Sequence, residues 1–259
     1  RPLPQYGQIT IRESSGRSLY RGLTLNSRYN ASKRIQFGVQ YTLATNYSDD
    51  DNERTATGYG YDNVYNLKAE YGYSSIDIRH NFSSYAVTTL PMGIEVSGIF
   101  RANSGQPIDP SAGSDLNGDT ASGYSASQND RAFQAPGVPF ARNYFRNYGF
   151  KTVDIRFMKN FNIGEKAKLQ FSTEMFNLFN FANVVIGPVT INNANSVYGP
   201  GVCFDTASCT VNGQVLSVGS VIPARSTFMQ LYNADGSYNR NNNQLGTPFQ
   251  AQFGLRFIF

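Results

Sequence analysis

Apolar and polar residues alternate along residues 247–259, the last segment of the chain. Every second position from Phe249 to Phe259 is apolar, and the positions between carry mostly amide, glycine or guanidinium groups. Successive side chains of a strand point to opposite faces, so this pattern predicts a strand with one apolar and one polar face. Such a strand either packs on a soluble core or separates lipid from a wet lumen in a membrane barrel.

The same alternation recurs in seven earlier segments, so we predict eight strands in all. No segment of comparable length has the pattern of an amphipathic helix. Spans of about ten residues suit a tilted membrane-spanning strand and exceed the usual soluble strand of about five or six. The seven earlier segments are residues 7–12, 20–29, 35–43, 76–90, 94–101, 153–158 and 167–175.

The connections between these segments differ sharply in length. Tight turns are predicted at residues 31–34, 91–93 and 162–166, and a further short connection at 13–17. Long loops rich in Asn, Asp, Ser, Gly and Tyr are predicted near residues 47–74, 103–149 and 181–246. Compact soluble domains rarely carry such loops. Up-and-down strands with tight turns at one end and long loops at the other are typical of an outer-membrane barrel.

We therefore predict an all-β fold, an antiparallel up-and-down transmembrane β-barrel, with residues 1–259 as a single domain. The long loops are expected outside the cell, and the chain's last strand is expected to end at the periplasmic side. Composition agrees with this prediction, because only 15% of residues are charged, against about 25% in soluble domains. No apolar run of about 18 residues is present, which excludes a transmembrane helix but not a barrel.

Five blocks of sequence, in order along the chain, carry a family resemblance: SLYRGLTLNSRYNASKRIQFGVQYTLATNYSD, DIRHNFSSYAVTTLPMG, SGQPIDPSAGSDLNGD with NDRA, VDIRFMKNFNIGEKAKLQFSTEMFNLFNFAN, and GLRFIF. Together they resemble the C-terminal barrel portion of TonB-dependent outer-membrane receptors. The most similar group is the Oar-like receptors, which carry an N-terminal carboxypeptidase-regulatory-like domain. The resemblance implies a barrel of about 22 strands filled by an N-terminal plug.

The chain contains fewer predicted strands and fewer segments than a member of that family. It has eight predicted strands and no plug-like segment, energy-coupling box or regulatory-like domain, and no signal peptide opens it. We therefore expect either the C-terminal third of such a barrel or a truncated relative. The alternative is a self-contained small barrel acting as a passive pore, adhesin or structural anchor. A soluble β-sandwich that binds carbohydrate is a third interpretation.

The resemblance implies a location and a set of partners. It implies the outer membrane of a Gram-negative bacterium, contact with outer-membrane lipid, and solute uptake driven by the TonB complex through N-terminal parts outside this chain. Phe259 resembles the terminal signal that the barrel-assembly machinery reads. The loops carry no pattern that names the solute. A net charge of +4 without a basic run gives no indication of nucleic acid.

Few residues suggest chemistry, and no enzyme is predicted. His80, the only histidine, falls on the apolar side of its segment, where a packing residue is expected rather than a member of a catalytic triad. Cys203 and Cys209 lie in a polar stretch, which favours a loop disulfide over two free thiols.

Oxygen ligands for a hard cation occur in one loop. Asp115, Asn117 and Asp119 alternate as calcium ligands do, although the full EF-hand signature fails and a solvated turn is the alternative. Asp130 could add a ligand or pair with Arg131. The acidic cluster at residues 49–53 is expected to be a solvated loop tip.

The remaining candidates are charged residues on the polar sides of the predicted strands. Arg or Lys facing lipid at mid-depth would cost about 2–4 kcal/mol, so these residues are expected to face the lumen. Most should form cross-strand pairs, such as Asp154 or Glu174 with a neighbouring arginine. The principal lumen-facing charges predicted are Arg79, Arg101, Asp154, Arg156, Glu174 and Arg256.

Overall fold

The computed structural model describes residues 13–51, 61, 66–113, 130–164, 167–186, 198–199, 208–211, 213–237, 239 and 243–259. In these residues the chain forms strands and two short 3-10 helices, at Leu67–Glu70 and Pro91–Gly93. No helix in the described part of the chain is long and apolar enough to cross a membrane.

The strands, in chain order, are β1 (Ser18–Ser32), β2 (Ile35–Ser48), β3 (Gly72–Tyr73), β4 (His80–Leu90), β5 (Ile94–Asn103), β6 (Pro107–Ile108), β7 (Phe133–Ala135), β8 (Val138–Pro139), β9 (Phe145–Arg146), β10 (Phe150–Ile163), β11 (Ala167–Phe176), β12 (Val184–Val185), β13 (Ser208–Val211), β14 (Gln214–Ser217), β15 (Asn243–Gln244) and β16 (Gln250–Ile258).

Seven long strands form one antiparallel sheet in the order β1-β2-β4-β5-β10-β11-β16, with β3 added beside the end of β2. Long strands that follow one another in the chain are neighbours in the sheet, which is up-and-down topology. Tight connections lie at one end, where β1–β2, β4–β5 and β10–β11 are joined. The predicted alternation of tight turns and long loops is confirmed. The predicted strand at residues 7–12 lies outside the described residues.

The predicted start of the fourth strand was wrong, and the sixth, predicted over residues 153–158, runs from Phe150 to Ile163. The strand expected over residues 76–90 begins only at His80. The backbone N–H of Asn46, near the end of β2, donates instead to the carboxylate of Asp77, at 2.6 Å. Because a side chain takes the place of a backbone acceptor here, the regular ladder between β2 and β4 starts later than the alternation suggested.

The sheet has two distinct faces. Its apolar face carries Phe37 beside Tyr29, with ring centroids 5.4 Å apart, and Phe171 beside Phe253 at 6.5 Å. Large side chains on this face are exposed, with fractions of 45% for Ile35, 41% for Phe37, 38% for Phe171, 73% for Phe253 and 55% for Phe257. A soluble sandwich would bury them between two sheets. Their exposure is that of an outward belt facing lipid.

The sheet is not closed. Within the described residues β1 and β16 are its two edges, and no pairing joins them. A barrel requires every edge to be paired, so these two strands need partners beyond the seven long strands described.

Among the described residues, the buried hydrophobic side chains lie in the long loops, apart from Ala44 on β2. Short two-stranded ladders in these loops, β6–β9, β7–β8, β12–β15 and β13–β14, escaped the sequence pattern because strands of two to four residues show no period. We call the apolar side chains buried among them the loop core. Its buried members are Ala112, Ala132, Phe140, Tyr198, Cys209, Val211 and Ile222.

Candidate functional site

The polar face of the sheet, opposite the phenylalanine belt, carries a row of hydrogen-bonded charges across three strands. Arg156 on β10 stands opposite Glu174 on β11, and its Nε lies 3.2 Å from a carboxylate oxygen of Glu174. Gln252 on β16 donates a hydrogen bond to the other oxygen of Glu174. The predicted cross-strand pairing is present for Glu174. The pair is partly exposed, so it contributes only about 0–1 kcal/mol to stability.

Asp154, the other acid expected to pair with an arginine, has different partners. Its Oδ1 accepts hydrogen bonds from the Thr152 hydroxyl at 3.0 Å and the Asn177 backbone N–H at 2.9 Å. No ion pair of Asp154 occurs among the described residues. Its role is to fix the chain where β11 ends and the following loop begins, a role that strand alternation could not show.

Asn177 begins a turn built from three asparagines in the left-handed region, with φ values of 47° at Asn177, 50° at Asn180 and 46° at Asn183. Asn tolerates this region better than most residues. The buried Asn177 side chain donates to the carbonyl oxygens of Phe181 and Thr247, both at 2.9 Å. Asn183 accepts from the N–H of Lys151 and donates to its carbonyl, as a paired strand would.

These asparagines lie in or next to the FNLFN run that contributed to the family resemblance. The structure shows why asparagine occurs at these positions. They fold the loop after β11 back onto the ends of β10 and β16, where Asn180 accepts a hydrogen bond from the Phe249 N–H at 3.0 Å. The sequence signal that could have identified them is the repeated Asn at spacings of three.

A cavity of 170 Å³ lies at this junction. Its strand residues belong to the polar face at the long-loop ends of β5, β10 and β11, as their register shows. The structure thus brings together two of the predicted lumen charges, Arg101 and Asp154. The cavity is lined by Arg101, Phe150, Thr152, Asp154, Phe176, Asn177, Asn183, Gly246 and Thr247.

Arg79 and Arg256 are not brought to this cavity. Arg256 lies on the polar face of β16, opposite Gln170. Arg79 precedes β4 and belongs to the loops, where its guanidinium packs 5.3 Å from the Tyr73 ring centroid and donates to the Tyr73 hydroxyl at 2.6 Å. The prediction of Arg79 as a residue of a regular strand was therefore wrong, for the same reason that β4 begins late.

Tyr73 sits among positive charges. A hydrogen bond with Tyr47 lowers the pKa of the Tyr73 hydroxyl, and the hydrogen bond and charge of Arg79 lower that pKa further, against the opposing effect of burial. The guanidinium of Arg146 also lies over the Tyr73 ring, 5.4 Å from its centroid. The pKa of Tyr198, in the loop core, is shifted in the opposite direction, because burial raises it.

Buried ion pairs connect the loops. Arg142 is 1% exposed and donates to Asp51 at 2.6 Å, and Arg146 donates to the buried Asp77 at the same distance. Arg131 reaches both Glu70 at 2.6 Å and Asp109 at 3.1 Å. We call these contacts the loop ion-pair network.

The acidic cluster at residues 49–53 is part of this network where it is described. Asp49 is 4% exposed and pairs with Arg17 at 3.1 Å, while Asp51 pairs with Arg142. The expectation of a solvated loop tip was wrong for these two residues. Their charges are offset by arginines from distant parts of the chain, which sequence spacing does not reveal.

The remaining candidates concern metal and sulfur. Asp115, Asn117 and Asp119 lie outside the described residues, so calcium stays a prediction. Among the residues that are described, no group of His, Cys, Asp and Glu could hold a metal ion. Cys209 is disulfide-bonded and buried in the loop core. Cys203 lies outside the described residues, so its pairing with Cys209 stays a prediction.

His80 lies on the apolar face, as predicted. Its Nδ1 and the Tyr41 hydroxyl are 2.7 Å apart, and the two rings stack with centroids 6.1 Å apart. Amphipathic rings at the end of a lipid-facing strand are characteristic of a membrane interface.

Residues 1–201 match the family described as "Outer membrane beta barrel domain". Comparisons with curated proteins and with solved structures find no match.

Proposed function

We propose that this chain, which belongs to the outer membrane beta barrel domain family and resides in the outer membrane of a Gram-negative bacterium, forms barrel wall and extracellular loops of a TonB-dependent receptor for solute uptake. The family match establishes the barrel fold and its location in the outer membrane. The receptor role rests on the ordered sequence blocks and on the features below.

The observation that carries the proposal is the open sheet. Seven long strands leave β1 and β16 as edges among the described residues. Single-chain bacterial barrels have an even number of strands, from eight upward. One further strand would close a small barrel, and a receptor barrel of about 22 strands, which the ordered sequence blocks resemble, also provides partners for both edges. A wide barrel also leaves room for a mobile or removable filling, which active uptake requires.

The loops support the same proposal. The loop core and the loop ion-pair network hold together the described parts of the three long connections, with contacts such as Arg131 to Glu70 spanning 61 positions in the chain. Loops held in one conformation can present a fixed surface to a scarce solute, whereas a passive pore needs only an opening. The solute would meet these loops and the polar face in turn.

A genetic experiment tests this proposal. Uptake of a panel of scarce solutes is measured in cells with and without this protein, each with and without a working TonB complex. We expect loss of the protein to reduce uptake of at least one solute, and no further reduction when the TonB complex is already inactive. Uptake that depends on the protein but persists without the TonB complex would instead indicate a passive pore.

A further inference from the structure

We propose that the cavity between β5, β10, β11 and the asparagine turn binds the carboxylate end of a small solute that carries an apolar ring or chain. The inference rests on the proposed function, because it places a solute contact on the polar face of the barrel wall. It adds the chemical class of the solute group and the residue that recognises it.

The strands fix the geometry of this cavity. Arg101 on β5 stands opposite Thr152 on β10 in the antiparallel register, so both side chains rise from the same face. Phe176 ends β11 on that face, and Gly246 and Thr247 line the cavity from the returning loop. Two lining residues are packed and anchored, because Thr152 is 7% exposed, and Asn177 is 3% exposed with hydrogen bonds to both atoms of its amide group.

Arg101 is the group that would hold the anion. Within the described part of the chain its guanidinium makes no ion pair and no side-chain hydrogen bond, while Arg156, on the same face, is paired with Glu174. A guanidinium presents several N–H groups in a planar fork that matches a carboxylate with two parallel hydrogen bonds. An exposed, unpaired arginine beside a cavity is therefore suited to this ligand.

The negative charge of Asp154 limits which anions the cavity can bind. Its carboxylate lies in the same wall, with Oδ1 held by Thr152 and Asn177. A nearby negative charge disfavours a ligand with two negative charges more than a ligand with one. The cavity should therefore prefer a carboxylate to a phosphate dianion.

The other lining residues of the cavity favour a solute whose carboxylate is attached to an apolar group. Phe150 and Phe176 both line the cavity and offer it aromatic surface. The volume of 170 Å³ is close to that of cavities of about 150 Å³ that hold one benzene ring. It is smaller than the sites of about 300–1,000 Å³ that enclose drug-sized ligands, so the cavity would hold one end of a larger solute.

Fluorescence offers a direct test, since the chain contains no tryptophan. Phe150→Trp and Phe176→Trp each introduce a single reporter into the cavity of the full chain in detergent. We expect benzoate to change the emission of at least one reporter saturably, and its neutral analogue benzamide to bind at least tenfold more weakly. Inorganic phosphate should also bind more weakly than benzoate.

Variants in each reporter background assign the effect to Arg101. Arg101→Gln should weaken benzoate binding at least tenfold, because a charge-assisted hydrogen-bond pair is lost, and Arg101→Lys should retain part of it. Arg256→Gln, on the same face but outside the cavity, should leave binding unchanged. Resistance of the folded barrel to SDS without heating shows that each variant is folded.

Equal binding of benzoate and benzamide, an unchanged affinity in Arg101→Gln, or no saturable binding in either folded reporter would overturn the inference. Binding in detergent needs no TonB complex. Failure here therefore leaves the uptake proposal intact, and failure of the uptake experiment leaves the binding result intact.

Discussion

Arg142 and Asp51 lie 91 positions apart in the chain, yet the Nη2 of one and the carboxylate Oδ2 of the other are 2.6 Å apart. Arg142 also donates to the backbone carbonyl of Ser48 at 2.9 Å, at the last residue of β2. A single buried guanidinium thus joins the loop before β10 to the end of a strand on the other side of β4 and β5.

Replacing Arg142 should loosen the loops without affecting the wall. Arg142→Met leaves the carboxylate of Asp51, which is 13% exposed, without its cation, and breaking such a pair costs about 3–5 kcal/mol. We expect faster hydrogen exchange across the loop ion-pair network and unchanged exchange in the long strands. Arg156→Gln removes a more exposed pair and should cost about 0–1 kcal/mol. Equal effects of the two changes would contradict the role assigned to Arg142.

The same substitution on the two faces of β16 should have different effects on stability, even at neighbouring positions. Phe253→Arg places a charge in the lipid-facing belt and should lower the free energy of unfolding from lipid vesicles by about 2–4 kcal/mol. Gln252→Arg, one residue earlier, places the same charge beside Glu174 on the polar face and should change it by less than about 1 kcal/mol. Urea titration of both variants in vesicles measures the difference. Similar losses at both positions would contradict the assignment of faces.

The asparagine turn should depend on the side chain of Asn177. Asn177→Ala removes its hydrogen bonds and places Ala at φ 47°, so we expect a loss of about 1–3 kcal/mol from the unpaired groups and about 1 kcal/mol more from backbone strain. Asn177→Gly should avoid the second loss only. Asn160→Ala, an exposed position on β10, is the control and should have little effect. If Ala and Gly are equivalent at 177, the left-handed conformation does not contribute.

Sulfur chemistry gives a further prediction. In unreduced, unfolded protein we expect no thiol to react with a thiol-specific dye, because Cys203 and Cys209 are the only cysteines. Reduction should expose the loop core around Cys209 to protease, because native disulfides contribute about 2–4 kcal/mol. The long strands should remain protected in the membrane. One or two reactive thiols before reduction would show that the pairing is wrong.

Calcium binding can be tested at the loop beyond Gly113. If Asp115, Asn117 and Asp119 bind calcium, titration with the ion should protect this loop from protease, and Asp115→Ala should abolish that protection. Asp235→Ala, in another loop, should not. Protection that is absent from the wild-type chain, or that is unchanged in Asp115→Ala, would remove the calcium site.

Period-two alternation predicted the seven long strands and their order well, because lipid on one side and polar surroundings on the other impose it along most of each strand. On β4 it breaks, since Ser84 and Thr88 stand opposite the apolar-face residues Val39 and Ile35. It could not predict where β4 begins, since that depends on Asp77 replacing a backbone acceptor for Asn46. It also placed Arg101 and Asp154 on the polar face, but not in one cavity. That cavity is completed by Asn177 and Gly246, which lie at the two ends of the connection between β11 and β16. Residues brought together by the folding of a loop leave no periodic signal in the sequence.

The long separations within the loop ion-pair network set the order of folding. Arg142 meets Asp51 only after β4 and β5 have brought their connections to the same end of the sheet, because contacts of high sequence separation must await loop closure. Hairpins joined by tight turns can form first and insert as a wall. Resistance to SDS should therefore appear before protease resistance of the loops during refolding, so that a newly inserted protein is anchored in the membrane before its outer surface has taken its final shape.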